Sequence, residues 1–226
     1  MLYIVATPLG NLSDLSPRAK EILSNCELII AENPSHSRHL FDYFELPKKR
    51  FVQFAEHNEE SAVAKIVKEI SALDATGKDV ALISDAGMPG ISDPGFRVVR
   101  GALSENIKVS PIPGPSAAVS ALAASGLPTD KFVFFGFLPK TEVKVVGQLE
   151  QAKNIQATAV FYESPQRILK TLGFIAEHFP EAKVSVAREL TKIHEEFVRG
   201  SAGDVAAEFK KRASIKGEIT VVVSFK

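Results

Sequence analysis

The residues best placed to do chemistry lie in loops rich in glycine and proline. Asp85 sits in Ser84-Asp85-Ala86-Gly87-Met88-Pro89-Gly90, directly after the apolar run Val80–Ile83. Glycine lets a backbone approach a ligand closely, and proline fixes the approach without later ordering. A carboxylate in such a strand-exit loop is where ligands are contacted, although an Asx-turn onto its own backbone would use the same residue. A second loop of this kind is Pro111-Ile112-Pro113-Gly114-Pro115-Ser116-Ala117. The segment Glu32-Asn33-Pro34-Ser35-His36-Ser37-Arg38 gathers a carboxylate, an imidazole and a guanidinium. Such a set can supply a general base and an anion binder, or simply a solvated helix start. Ala187-Arg188-Glu189-Leu190-Thr191-Lys192 repeats the mixture, and there Glu189 can instead pair with Arg188 or Lys192. Asp93, before Pro94, reads as a helix cap.

Several chemistries are not written in the chain. The histidines are His36, His39, His57, His178 and His194, with no H-E-x-x-H pattern and no companion cysteines, so no metal site is expected. No G-x-G-x-x-G follows the first apolar run, where Thr7-Pro8-Leu9-Gly10 stands instead, and no G-x-x-x-x-G-K-[ST] occurs. The nucleophile elbow G-x-S-x-G is absent as well.

These loops need strands and helices to hold them. Leu2–Ala6, Glu27–Ala31 and Asp79–Ser84 are short apolar runs that read as buried strands. Ser16-Pro17 predicts a capped helix start, and Ala62, Val63, Ile66, Val67 and Ile70 keep the spacing of an amphipathic helix. Strand and helix alternate, which predicts a mostly parallel sheet with crossovers. A small-residue helix over Ser116–Gly126 marks a boundary, dividing the chain into domains 1–115 and 116–226. Beyond it, strands are expected at Lys131–Phe135, Thr158–Tyr162, Lys183–Arg188, Glu195–Arg199 and Glu218–Phe225. Helices are expected over Val143–Lys153, after Ser164-Pro165, and over Val205–Lys211. More strands per helix predicts a mixed sheet in this half.

The chain has 226 residues, 45% hydrophobic and 24% charged, an ordinary globular composition. Lysine plus arginine and aspartate plus glutamate both number 27, so net charge does not suggest a nucleic-acid partner, though a local basic patch is allowed. The single Cys26 excludes an intrachain disulfide. No apolar run approaches the ~20 residues of a membrane span, and the N-terminal MLYIVATPLG lacks a basic leader region. The expected location is cytoplasmic, with no membrane contact.

Seven motifs in order carry a family resemblance: Thr7–Leu12, Ser84–Gly90, Asp93-Pro94-Gly95, Pro113–Ala117, Phe161-Tyr162-Glu163-Ser164-Pro165, Ala187–Lys192 and Gly217-Glu218-Ile219. Together they resemble the ribosomal RNA small-subunit methyltransferase I family, within the tetrapyrrole methylase fold. The resemblance runs from Leu2 to Val223. Where the family usually reads E-D-T-R-H-T, this chain has Glu32-Asn33-Pro34-Ser35-His36-Ser37, and Gln166 replaces a usual histidine.

The resemblance implies an α/β protein of two domains, a mostly parallel N-terminal sheet and a mixed C-terminal sheet, with S-adenosylmethionine in the cleft between them. It implies 2′-O-methylation of a cytidine ribose in small-subunit ribosomal RNA, as naked RNA or as the 30S subunit, by a homodimer. Cofactor contacts carried over are Leu9, Asp85, Met88, Ser116, Ala117, Tyr162, Ala187, Glu218 and Ile219. Glu32 or His36 is expected to act as base, and Arg38, Arg167, Arg188 and Lys192 to hold phosphates. Two other readings stay open: methylation of a tetrapyrrole or corrinoid precursor, whose carboxylates would also suit arginines, and a non-catalytic cofactor- or RNA-binding module.

Overall fold

Short four-residue strands generate the first sheet, and the apolar runs Leu28–Ala31 and Val80–Ile83 are buried throughout. In the computed structural model, which describes residues 1–54 and 60–226, strands β1 (Leu2–Val5), β2 (Leu28–Ala31), β3 (Arg50–Gln53), β4 (Val80–Ile83) and β5 (Val109–Ile112) are all parallel. His57 lies outside the described residues. The strand order is β3-β2-β4-β1-β5. Every residue of β2 and β4 is buried, as expected for a parallel sheet covered on both sides.

Alternation sorts the side chains into two layers. Val5, Ile29, Ala31, Ala81 and Ile83 pack against helices α1 (Pro17–Asn25) and α2 (Pro34–Tyr43), and the buried Cys26 lies in the same layer. Leu2, Ile4, Leu28, Ile30, Val80 and Leu82 pack against α3 (Glu60–Asp74) and α4 (Gly95–Ser104). Both helices on the first face start with a cap and a proline. The Ser16 hydroxyl accepts from the Ala19 N–H at 3.1 Å, and Asn33 accepts from the N–H groups of Ser35 and His36. The chain leaves β1 and the neighbouring β4 toward opposite faces of the sheet, and at such a switch point strand-end loops can splay around a ligand.

This first unit spans Met1–Ser116, and a second spans Ala117–Lys226. The second unit's strands are β6 (Phe132–Phe137), β7 (Thr158–Glu163), β8 (Lys183–Arg188), β9 (Glu196–Ser201) and β10 (Ile219–Ser224), in the order β6-β7-β10-β8-β9. Only β6 and β7 pair in parallel, so the sheet is mixed. One face is buried by Val145 and Leu149 of α6 (Glu142–Asn154), Leu172 and Ile175 of α7 (Ile168–His178), and Val205 and Phe209 of α8 (Ala202–Lys210). Phe161, Val184, Val186, Val221 and Val223 meet them from the sheet. The small-residue helix α5 (Ala117–Ser125) packs against β7, β8 and β10. Among the described residues no helix is long and apolar enough to cross a membrane.

Candidate active site

In the first unit, three loops meet around one glycine. The Thr7 N–H donates to the Gly87 carbonyl at 2.9 Å, and the Gly87 N–H returns the bond to the Thr7 carbonyl at 3.0 Å. The Thr7 hydroxyl also donates to the Ser84 carbonyl at 3.1 Å, tying the exit of β1 to the exit of β4. Gly87 has φ +80°, in the left-handed region, and a Cβ there would stand 3.1 Å from Leu9 Cδ2 and 3.4 Å from the Pro115 carbonyl. Glycine is therefore required twice, for conformation and for space.

The rest of that loop is closed by Asp93. Its carboxylate accepts the Gly90 N–H on both oxygens, at 2.9 and 2.8 Å, and the Gly95 N–H at 2.7 Å. Burial pushes the Asp93 pKa up, against the opposing pull of the Gly95 and Gly90 N–H groups. The N-cap of α4 is Pro94, without a side-chain cap bond, so Asp93 stands one residue before the cap expected of it and ties the loop to Gly95, the first helical residue.

Asp85 is arranged differently. Its Oδ1 is buried and has no hydrogen-bond partner among the described residues. Its backbone N–H points to Glu32 Oε2 at 3.5 Å, so the exits of β2 and β4 bring the Glu32 carboxylate to the Asp85 backbone. An orphaned carboxylate oxygen inside a fixed glycine loop costs free energy unless a ligand donor meets it. This fits a ligand bearing hydroxyl or amino groups, as S-adenosylmethionine does. His36, in the first turn of α2, is exposed, and the Arg38 guanidinium lies 5.2 Å from the centre of the Phe51 ring. Met88 turns toward the α3–α4 layer, and Ser116 closes the first unit.

In the second unit, register brings nominated residues side by side. Thr220 of β10 pairs with Tyr162 of β7 on one side and Ala187 of β8 on the other, so Tyr162 and Ala187 share one row. Thr220 completes that row without any signal in the sequence, being one more residue of an apolar strand. Ile219 pairs with Glu163 and Arg188 in the next row. Ala117 opens α5.

Arg167, Arg188 and Lys192, expected to hold phosphates, bond within this unit. Arg167 donates to the Leu138 and Pro139 carbonyls, each at 2.8 Å, and lies 3.3 Å from Glu163. Arg188 pairs with Glu196 and donates to the Lys216 and His194 carbonyls at 3.0 and 3.2 Å. Lys192 bonds Glu189 and Glu218, each at 3.0 Å. Burial alone would lower the Lys192 pKa, but these two carboxylates outweigh it and raise the value. The Glu218 N–H donates to Glu189 at 2.9 Å, closing the loop around Gly217. On the surface, Glu142, Glu177 and His178 place ligand-type atoms within 4.8 Å of one another, and Glu142 bonds the His178 ring.

The family model for Tetrapyrrole (Corrin/Porphyrin) Methylases matches residues 1–206. A protein of Thermotoga maritima named Ribosomal RNA small subunit methyltransferase I is 44% identical over 225 residues, covering 100% of this chain and 98% of the relative. The chain belongs to the ribosomal RNA small subunit methyltransferase I family of tetrapyrrole methylases. The member of that name from Halalkalibacterium halodurans is 43% identical over 98% of this chain and 75% of its own length. Solved structures in the tetrapyrrole methylase fold agree in architecture. The methyltransferase CobJ superposes with a TM-score of 0.71 at 18% identity, over 99% of this chain and 93% of that one. A uroporphyrin-III C-methyl transferase from Thermus thermophilus, complexed with S-adenyl homocysteine, gives 0.65 at 14% identity, over 98% and 96%.

Proposed function

We propose that this protein uses S-adenosylmethionine to methylate the 2′-oxygen of a cytidine ribose in small-subunit ribosomal RNA. Membership of the ribosomal RNA methyltransferase family supports the RNA substrate. The observation that carries the reading on this chain is the buried, unpartnered Asp85 Oδ1 in a residue whose backbone N–H points to the Glu32 carboxylate. When bound, the cofactor supplies a methyl group already activated on a sulfonium, so the protein's work is alignment and proton removal.

Asp85 accepts a ligand hydroxyl or amino group at Oδ1, and Leu9, Met88, Ser116 and Ala117 line the cofactor with loop backbone and apolar atoms. In the second unit, Tyr162, Ala187, Glu218 and Ile219 are the residues proposed as cofactor contacts. Glu32 is the preferred base, taking the ribose proton on its carboxylate. Its nearness to Asp85 supports that choice over the exposed His36, which remains the alternative. Arg38 is assigned to a phosphate. Arg167, Arg188 and Lys192 would each have to release internal partners to do the same, and their part is to hold the loops that carry the site.

The test is transfer of label from S-adenosylmethionine to small subunits lacking the modification, with naked RNA alongside, followed by nuclease digestion. Label on a cytidine 2′-oxygen is the expected result. Cofactor binding without transfer to RNA would overturn the reading and redirect it to a tetrapyrrole substrate or a silent binding module.

A further inference from the structure

Strands β6 and β7 run in parallel, but their pairing slips. Phe134 pairs with Val160 and Phe137 with Tyr162, so β6 uses one more residue than β7 over that interval. Gly136, at φ +63°, takes up the extra residue as a bulge. The slip changes which way a side chain faces. Side chains alternate along an unbroken strand, so positions 134 and 137 would lie on opposite faces. With the bulge, both rings stand edge-on to Tyr162, with centroids 5.0 and 5.7 Å away, while Phe135 packs into the helix-covered core. The outcome is an aromatic row in which Phe137 is 59% exposed.

A single exposed ring is ordinary. What sets this one apart is how firmly it is held. The two carbonyls that follow Phe137, those of Leu138 and Pro139, both accept from Arg167 at 2.8 Å. Arg167 is fixed in turn by the buried Glu163, which also accepts the Ser164 N–H at 2.8 Å and the Thr171 hydroxyl at 2.6 Å. A backbone already held in place loses less entropy when something stacks on the side chain it carries. The segment that follows is cationic toward solvent. Lys140 and Lys144 are exposed with no ion pair among the described residues, and Glu142 is turned to His178 at 2.8 Å.

We propose that Phe137 is a stacking platform for an unpaired base of the RNA substrate, with Lys140 and Lys144 on the adjoining phosphates. An exposed aromatic face on an anchored loop, beside cations without an ion pair among the described residues, is the chemistry that recognises single-stranded RNA. The proposal rests on the RNA methyltransferase reading above. It names a binding residue that touches a base, and not the reacting oxygen.

The test uses the full chain as wild type, Phe137→Ala, Phe137→Tyr and the pair Lys140→Ala/Lys144→Ala. The readouts are KM for unmodified small subunits, kcat, and the Kd for S-adenosylmethionine by calorimetry. Phe137→Ala is expected to raise the RNA KM about 5- to 150-fold, the usual span for one missing base stack, and to leave cofactor affinity unchanged. Phe137→Tyr keeps a ring and restores the KM. The lysine pair weakens RNA binding and makes its salt dependence shallower, by about 0.7 in log–log slope for each phosphate no longer neutralised. An unchanged RNA KM in Phe137→Ala overturns the proposal. A weakened cofactor Kd also overturns it, by assigning the ring to the cofactor. Wild-type protein that binds cofactor but methylates no RNA fails earlier, at the functional reading itself, and the stacking platform falls with it.

Discussion

Thr171 donates its hydroxyl to the Glu163 carboxylate across 2.6 Å, joining the first turn of one helix to the end of a strand. Glu163 is 2% exposed, and its other contacts are the Ser164 N–H and the Arg167 guanidinium. Removing one member of a buried charged network leaves the others desolvated and unpaired. Glu163→Ala is expected to cost about 3–5 kcal/mol. Thr171→Val should cost about 1–3 kcal/mol, as an acceptor left unsatisfied. Urea denaturation of the full chain, with a probe in the second unit, measures both. Equal midpoints for wild type and Glu163→Ala would contradict the network.

Asp85 makes the opposite prediction for stability. Its Oδ1 already lacks a partner, so Asp85→Ala removes an unsatisfied group instead of a bond. Without cofactor the variant is expected to be as stable as wild type, or more so. Its cofactor affinity should fall about 10- to 100-fold, as a hydrogen bond to a charged acceptor is worth about 1.5–3 kcal/mol. Thermal unfolding and calorimetry separate the two effects.

Glu32→Gln keeps the shape of the side chain and removes its basicity. If Glu32 takes the ribose proton, kcat falls about 10²- to 10⁴-fold with cofactor affinity retained. Single-turnover methyl transfer is the measurement. Full turnover in a variant lacking both the Glu32 and His36 side chains would remove both from the base's role.

Acid stability should depend on the second unit's ion pairs. Arg212, foremost, and Arg188 hold the Glu196 pKa below its ordinary 4.5, and the Glu218 N–H and Lys192 do the same for Glu189. The folded state thus keeps these carboxylates ionised to lower pH than the unfolded chain does. Their contribution is complete above about pH 4.5 and drains away as pH falls through the lowered folded values. Glu196→Gln is expected to flatten the fall in stability over that window, as read from denaturation midpoints. Asp93 acts in the other sense: its raised pKa makes its share of stability decline as pH rises through the folded value.

Where one physical signal dominated, the elements were legible. Lys183–Arg188 is a strand at the expected bounds, and Ser16-Pro17 opens a helix. Arg50–Gln53 escaped notice because it is a four-residue edge strand with no fully buried position. Pro34 stands in a segment that reads equally as loop or helix start, and Asn33 settles it by capping α2. The strand expected over Lys131–Phe135 spans Phe132–Phe137, since Gly136 takes up a bulge and lets the pairing continue. Around the site, glycine and proline announced the Ser84–Gly90 loop, but nothing local pairs Thr7 with Gly87. The charges of Arg167, Arg188 and Lys192 were plain, while their internal partners come only from the folded chain.

Strand β10 is the last of its sheet in chain order, yet it lies in the middle, between β7 and β8. During synthesis, the β6–β7 and β8–β9 pairs stay separate until residues 219–224 have been made. The nascent second unit must wait with two open strand edges, a condition that favours wrong pairing and chaperone capture. The first unit's sheet is complete once β5 has been made, more than 100 residues earlier in the chain. A ribosome pausing late in this message would therefore hold one finished sheet and one that cannot yet close.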